Sequence, residues 1–405
     1  MVEQREQKDL SNDEYMRYSR QLIMGQIGIE GQRKLKNARV LVVGAGGLGS
    51  PASFYLSGAG IGTLGLVDGD VVDESNLHRQ IIHTESRVGM NKTVSAKQQI
   101  NMFNRHVDVV TYQTHLTPEN AREIVQDWDI VMDGSDNAKA RYLINDICMI
   151  LKKPLVSGSA LQMEGQITVY GYNGGPCYRC MFPKPPPAHT VTNCADGGVL
   201  GVVPGIIGNL EALEVIKIVL GFSDEQILTK RMIFFDAASM RFRNVKLRER
   251  NPRCEVCGDE PTLTETSTFD YDDFCQTNCN KYALIQIPAE HNILVEDFHK
   301  QYENIRDSND ESDVALIDVR GKVQYDIVNL PGSIHMPLKT LMDNPDQFKK
   351  LASEKREVFV MCRKGNASKE ATEFILKELN IKNVKNVVGG IQEYILKVDN
   401  SLPLY

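Results

Sequence analysis

The chain has 405 residues, 42% hydrophobic and 24% charged, enough for two or three domains with cores of their own. No run approaches the roughly 20 apolar residues that span a bilayer, and the N-terminal MVEQREQKDLSNDEY is too polar for a signal peptide, so a soluble cytoplasmic protein with no membrane association is expected. A formal net charge of −7 argues against direct nucleic-acid binding, which usually needs a basic surface.

From Ala38 to about Gly221 the pattern alternates between short β-branched runs and helical stretches. ARVLVVG (38–44), TLGLVD (63–68), HVDVVTY (106–112), DIVMDG (129–134) and PLVSGSA (154–160) read as strands, with helices near 91–103 and over 118–126. GQITVYGY, RMIFFD and RFRNVKL add further strands, and 207–221 has helical spacing that ends at a glycine. This order predicts a doubly wound, Rossmann-like α/β domain over 1–260. Residues 261–287, polar and poor in aliphatic side chains, read as a linker. A second α/β unit over 288–405 follows, with strands at DVALIDVR (313–320) and REVFVM (356–361) and an amphipathic helix over 369–380.

Gly44-Ala45-Gly46-Gly47-Leu48-Gly49 stands between a strand and a helix, where glycines let backbone approach a phosphate. Asp68 ends the next strand, placed for ribose hydroxyls. The glycines alone favour an NAD or FAD site. Ser75, Asn76 and Arg79 in SNLHRQ, Lys92 at a helix start, Arg20 upstream and Asp136-Asn137 after a strand shift the balance towards a triphosphate and Mg²⁺. His78 and His83 sit in no motif that makes either an acid catalyst.

Nine cysteines without a signal sequence argue against a disulfide framework. Cys177-x-x-Cys180 and Cys254-x-x-Cys257, each beside turn residues, form two half-sites for one structural Zn²⁺. Cys194 is the one thiol of the long loop FPKPPPAHTVTNCADGG. Cys362 ends a strand and enters a helix, where backbone amides, the helix dipole, Arg363 and Lys364 suit a thiolate or persulfide anion. The polar neighbours CRKGNAS speak against a merely buried cysteine there.

GAGGLGS, the run from Asp68 to Gln80 and DGSDN resemble the ubiquitin-activating enzyme superfamily, in its molybdopterin-synthase adenylyltransferase and sulfurtransferase branch, from about Asn12 to Gly258. The resemblance implies that Gly47, Asp68, Ser75, Asn76, Leu77, His78, Arg79, Lys92, Asp136 and Asn137 bind Mg-ATP, and that Arg20 reaches into a partner subunit's site in a homodimer. It also implies Zn²⁺ on the four paired cysteines, and a role for Cys194 in acyl or sulfur transfer. LIDVR, LPGSIHMPL, CRKGNAS and VVGGIQEY resemble a single rhodanese domain and point to a persulfide on Cys362. Relatives commonly carry Asp where Ala367 stands. The joint implication is adenylation of the C-terminal glycine of a ubiquitin-like sulfur carrier, followed by sulfur loading from a cysteine desulfurase or another donor. The products would serve tRNA thiolation, molybdenum cofactor synthesis or both. A rhodanese unit that only docks partners, a dinucleotide-dependent oxidoreductase and a non-catalytic scaffold are the rival readings.

Overall fold

A computed structural model describes residues 7–186, 197–275, 285–306 and 313–405. The chain divides into two compact units, Met1–Thr277 and Asn278–Tyr405.

The first unit is built on an eight-stranded sheet. Its strands are β1 (Arg39–Val43), β2 (Thr63–Val67), β3 (Asp108–Tyr112), β4 (Ile130–Asp133), β5 (Leu155–Leu161), β6 (Glu164–Tyr170), β7 (Arg231–Asp236) and β8 (Arg241–Lys246). The spatial order is β3-β2-β1-β4-β5-β6-β7-β8. The first five strands in that order run parallel and the rest antiparallel. Parallel strands covered on both faces must be apolar throughout, and RVLVV in β1 is buried at all but its first residue.

The chain leaves β1 towards β2 and returns on the other side of β1 at β4, so a crevice opens at the carboxyl ends of these strands. Register places Val43 beside both Val67 and Asp133, which brings the residues that follow the three strands to one level. Gly44, at φ +97°, lies so near β4 that a Cβ there would stand 2.7 Å from the Gly134 carbonyl oxygen.

One helix spans Val202–Leu220 and stops at Gly221 in the left-handed conformation. It begins five residues before the stretch whose spacing predicted it. Pro204 lies in its first turn, where an amide has no partner in the helix and proline is tolerated.

The polar stretch read as a linker is packed in its first part. Tyr271 is 1% exposed and its hydroxyl donates to Asp146 Oδ2 at 2.8 Å. Lys139 pairs with Asp272 at 2.7 Å and Arg122 with Glu265 at 2.8 Å. A few aromatic anchors suffice to dock a segment whose average composition is polar.

The second unit holds a parallel five-stranded sheet, ordered β11-β10-β12-β13-β9. Its strands are β9 (Asn292–Ile293), β10 (Val314–Asp318), β11 (Ile334–His335), β12 (Glu357–Met361) and β13 (Val384–Val387). Apolar clusters lie on both faces, one around Phe298 and Phe359 and one around Phe348 and Ile375.

Candidate functional site

The glycine turn runs from Gly44 into the helix Gly49–Ala59. Gly49 has no room for a side chain, because a Cβ would stand 1.9 Å from the Gly44 carbonyl oxygen. Asp68, 9% exposed, accepts hydrogen bonds from the amides of Ala45 and Asp70, each at 2.9 Å. Burial pushes its carboxyl upward, opposed by Lys92 and by those two amides. Asp68, the residue after β2, therefore holds the turn.

SNLHRQ folds as a turn over the start of the helix Val202–Leu220. Gly201 makes this approach possible, since a Cβ there would stand 2.1 Å from the His78 carbonyl oxygen. Arg79 donates to Asn76 Oδ1 at 2.6 Å and contacts His78 Nε2 at 2.7 Å. Its Cδ lies 3.6 Å from where a Gly47 Cβ would be. Ser75 is exposed, and its amide and hydroxyl both donate to Asp73 Oδ1. Leu77 is half-buried between them.

Lys92 starts its helix behind the cap Asn91. Its side chain is 7% exposed and its Nζ donates to Asp70 Oδ2 at 2.9 Å. Asp136 and Asn137 are exposed just beyond β4, and Asn137 caps the helix Ala138–Ile150 by accepting from the Ala140 amide at 2.9 Å. Gly47, Asp68, Asn76, Arg79 and Lys92 thus converge around the glycine turn, with Asp136 on the neighbouring strand end.

Arg20 is not brought to this turn. The next residue, Gln21, donates to the Ala59 carbonyl at 3.1 Å. That carbonyl lies at the far end of the helix Gly49–Ala59, about 15 Å along its axis from the glycines.

The four paired cysteines meet. Sγ–Sγ distances are 3.7 Å for Cys177–Cys180, 3.6 Å for Cys177–Cys254 and 3.4 Å for Cys180–Cys257, and all four sulfurs lie within 4.8 Å of one another. Tetrahedral Zn–S bonds of about 2.3 Å place sulfurs roughly 3.8 Å apart, so this cage fits zinc. The Asn251 amide donates to Cys180 Sγ at 3.3 Å, as suits a thiolate ligand. Arg179, between the first two cysteines, is 3% exposed. It makes three hydrogen bonds to Asp146 and lies 4.6 Å over Phe269 and 4.5 Å over Phe274.

In the second unit Cys362 follows β12 and precedes the helix Asn366–Lys377. Its sulfur accepts from the Gly365 amide at 3.1 Å and contacts Ser368 Oγ at 3.3 Å. Gly389 and Gly390, both at positive φ, close over this loop. The Ile391 amide bonds the Cys362 carbonyl at 2.9 Å, and a Cβ on Gly390 would stand 2.3 Å from that oxygen. The residue is only 3% exposed, so polar neighbours did not foretell an open thiol. Lys364 is exposed, whereas Arg363 turns to the Tyr405 ring, 4.9 Å from its centroid. Cys194 falls outside the described residues.

A family model described as the ThiF family matches residues 18–256, more than half of the chain. The chain belongs to the ThiF family. A rhodanese-like domain model matches residues 300–397, so the ThiF unit is joined to a rhodanese-like one. The protein from Aedes aegypti named adenylyltransferase and sulfurtransferase MOCS3 is 45% identical over 402 residues, covering 98% of this chain and 90% of that one. A Danio rerio protein of the same name is 46% identical over 417 residues, covering 98% and 88%. Among solved structures, E. coli MccB with ATP superposes with a TM-score of 0.54 at 24% identity, covering 62% of this chain and 75% of that one. At that identity it speaks for the ThiF fold alone. No helix among the described residues is long and apolar enough to cross a membrane.

Two residues of the ThiF unit gain a role from the geometry. Asp70 anchors Lys92, and the D-x-D spacing with Asp68 was its only trace in the sequence. His83 is 5% exposed and spans Ser95 Oγ at 2.9 Å and the Ala45 carbonyl at 3.1 Å, bracing the glycine turn. Burial, helped by Lys92 and Arg87, pushes its imidazole down to about 4. The folded-state value lies below the unfolded one, near 6.5. His83 therefore contributes nothing to pH dependence above the unfolded value, and as pH falls from there the unfolded chain takes the proton first. Stability is expected to drop by roughly 2–4 kcal/mol between about pH 6.5 and pH 4. Denaturant unfolding of His83→Gln should show a flatter profile across that window. An unchanged profile would rule the residue out as the source.

Proposed function

We propose that this chain adenylates the C-terminal glycine of a ubiquitin-like sulfur-carrier protein with Mg-ATP and then converts that end to a thiocarboxylate. The observation that carries the reading is the meeting of Arg79 and Lys92 with a glycine turn at the carboxyl ends of parallel strands. The family relationship over the full length, to proteins named adenylyltransferase and sulfurtransferase, supports the pairing of the two chemistries.

The carrier's terminal carboxylate is already a nucleophile, so the first step needs positioning and charge neutralisation more than a base. Its oxygen attacks the α-phosphorus and pyrophosphate leaves, giving an acyl-adenylate. Gly47 and its neighbours admit the phosphates, and Arg79 and Lys92 offset their charge. Asp68 orients the turn and meets the ribose, while Ser75, Asn76, Leu77, His78 and Asn137 line the nucleotide. Asp136 is the carboxylate that would hold Mg²⁺, which supplies further neutralisation of the phosphates when bound. The placement of Arg20 away from its own glycine turn supports its serving a partner subunit's site in a homodimer. Zn²⁺ on Cys177, Cys180, Cys254 and Cys257 has a structural role.

Cys362 takes sulfur from a cysteine desulfurase or another donor and holds it as a persulfide. The terminal sulfur attacks the acyl-adenylate carbonyl and AMP leaves, giving an acyl disulfide. The Cys194 thiolate then attacks Cys362 Sγ. The thiocarboxylate departs with the electron pair, and a Cys194–Cys362 disulfide remains for an external thiol to reduce. A cytoplasmic setting, with products serving tRNA thiolation at the wobble position, molybdenum cofactor synthesis or both, completes the proposal.

The test is incubation with ATP, Mg²⁺, thiosulfate and candidate carriers, followed by intact mass of each carrier. Replacement of one oxygen by one sulfur is expected in the true substrate. Lys92→Ala should lower ATP–pyrophosphate exchange by about 10²–10³-fold. Exchange that never appears with any carrier would remove the adenylation step.

A further inference from the structure

A buried hydrogen-bond chain leads away from the Cys362 sulfur. Ser368, 0% exposed, places Oγ 3.3 Å from that sulfur and 2.7 Å from Asn386 Oδ1. Asn386 Nδ2 donates to Asn292 Oδ1 at 2.9 Å. Asn386 is 2% exposed and lies in β13 on the same face as Val384, which belongs to the apolar cluster around Phe348 and Ile375. A polar side chain buried in such a place is costly unless satisfied, and among the described residues this one is satisfied by Ser368 and Asn292.

A serine hydroxyl carries one hydrogen, so Ser368 cannot donate to the sulfur and to Asn386 together. With Asn386 Oδ1 facing it, the hydroxyl donates to Asn386 and its oxygen is free to accept from a Cys362 S–H. An anionic sulfur has no hydrogen to offer and needs the hydroxyl to turn towards it. Asn386 Oδ1 would then lose its donor. A half-turn of both carboxamides reverses the whole chain: Asn386 Nδ2 donates to Ser368 Oγ, and Asn292 Nδ2 donates to Asn386 Oδ1. The two orientations have the same heavy-atom outline, and the hydrogen-bond network alone decides between them.

The geometry points to Asn386 as a positioning residue that acts through Ser368, with Asn292 as the hinge partner. It sets whether the Ser368 hydroxyl serves the thiol or the thiolate and persulfide. This inference rests on the reading of Cys362 as the sulfur carrier. In sulfur loading from thiosulfate, the Cys362 thiolate attacks the outer sulfur, the new S–S bond forms, and sulfite leaves with the electron pair of the old one.

Two variants of the full chain test the relay with opposite expected signs. Asn386→Asp presents only acceptors and holds the hydroxyl away from the sulfur. Loading of Cys362 by thiosulfate, followed by intact mass, should slow by about tenfold, the scale of one buried hydrogen bond. Asn386→Val, a residue suited to a buried strand, leaves the sulfur as the hydroxyl's partner, and loading should match or exceed the wild-type rate. In a Ser368→Ala background both substitutions should change the rate by less than about twofold, because their effect passes through the missing hydroxyl.

A merely structural asparagine would lower loading in both variants, and that outcome overturns the proposal. So does an equal loss from Asn386→Asp with and without Ser368, which would indicate a direct field on the sulfur. If wild-type protein takes up no sulfur, the sulfur-carrier reading fails instead. The relay is then read from iodoacetamide alkylation of Cys362, followed on its peptide, where the same order of variants is expected and equal rates would refute it.

Discussion

Cys362→Ala is expected to abolish sulfur transfer to a carrier, by about 10³-fold or more, while ATP–pyrophosphate exchange stays within about twofold of wild type. The two readouts separate because Cys362 belongs to a unit with its own sheet and cores, whereas the glycine turn belongs to the other unit. The result also decides between a catalytic rhodanese unit and one that only docks partners. Burial of Cys362 to 3% exposure would suit a docking unit, whereas the Gly365 amide aimed at its sulfur suits an anion. Retained transfer in Cys362→Ala would establish the docking unit. Cys194→Ala gives the complementary pattern: exchange intact, acyl disulfide accumulating, thiocarboxylate lowered. Full thiocarboxylate yield from that variant would remove Cys194 from the sequence of steps.

Zinc removal should have the other large effect. One zinc per chain is expected by elemental analysis, and chelation or Cys254→Ser should unfold the first unit while thiosulfate loading on Cys362 persists. The cage joins the segment after β6 to the segment after β8, so it closes a long loop on the antiparallel side of the sheet. Cys177 is fully buried and Cys180 and Cys254 nearly so. Structural zinc in small domains contributes on the order of 10 kcal/mol, comparable to the whole net stability of a typical domain. Arg179 ties the cage to Asp146, and Tyr271 donates to the same carboxylate. Loss of zinc should therefore also release the 261–275 segment, which limited proteolysis would detect. Protein that binds no zinc and keeps its melting point with Cys254→Ser would refute the assignment.

The sequence was most informative where chemistry is carried by local spacing. Glycine turns are legible because only glycine tolerates the backbone approaches at Gly44 and Gly49. Parallel strands are legible because burial on both faces forces apolar runs such as RVLVV and TLGLV. The paired cysteines are legible because each C-x-x-C is a half-site in itself.

What the tertiary structure decided depends on side chains far apart in the chain. His83 braces Ala45 across 38 residues and Asn386 faces Ser368 across 18, and neither pair has a spacing that marks it. Composition made residues 261–275 look like linker, yet Phe269, Tyr271 and Phe274 dock them around Arg179. Polar neighbours suggested an open Cys362, yet Gly389 and Gly390 fold over it from another part of the chain. Periodicity reports which face of an element is buried. It does not report which distant residue completes a polar group there, because that partner is chosen by the fold.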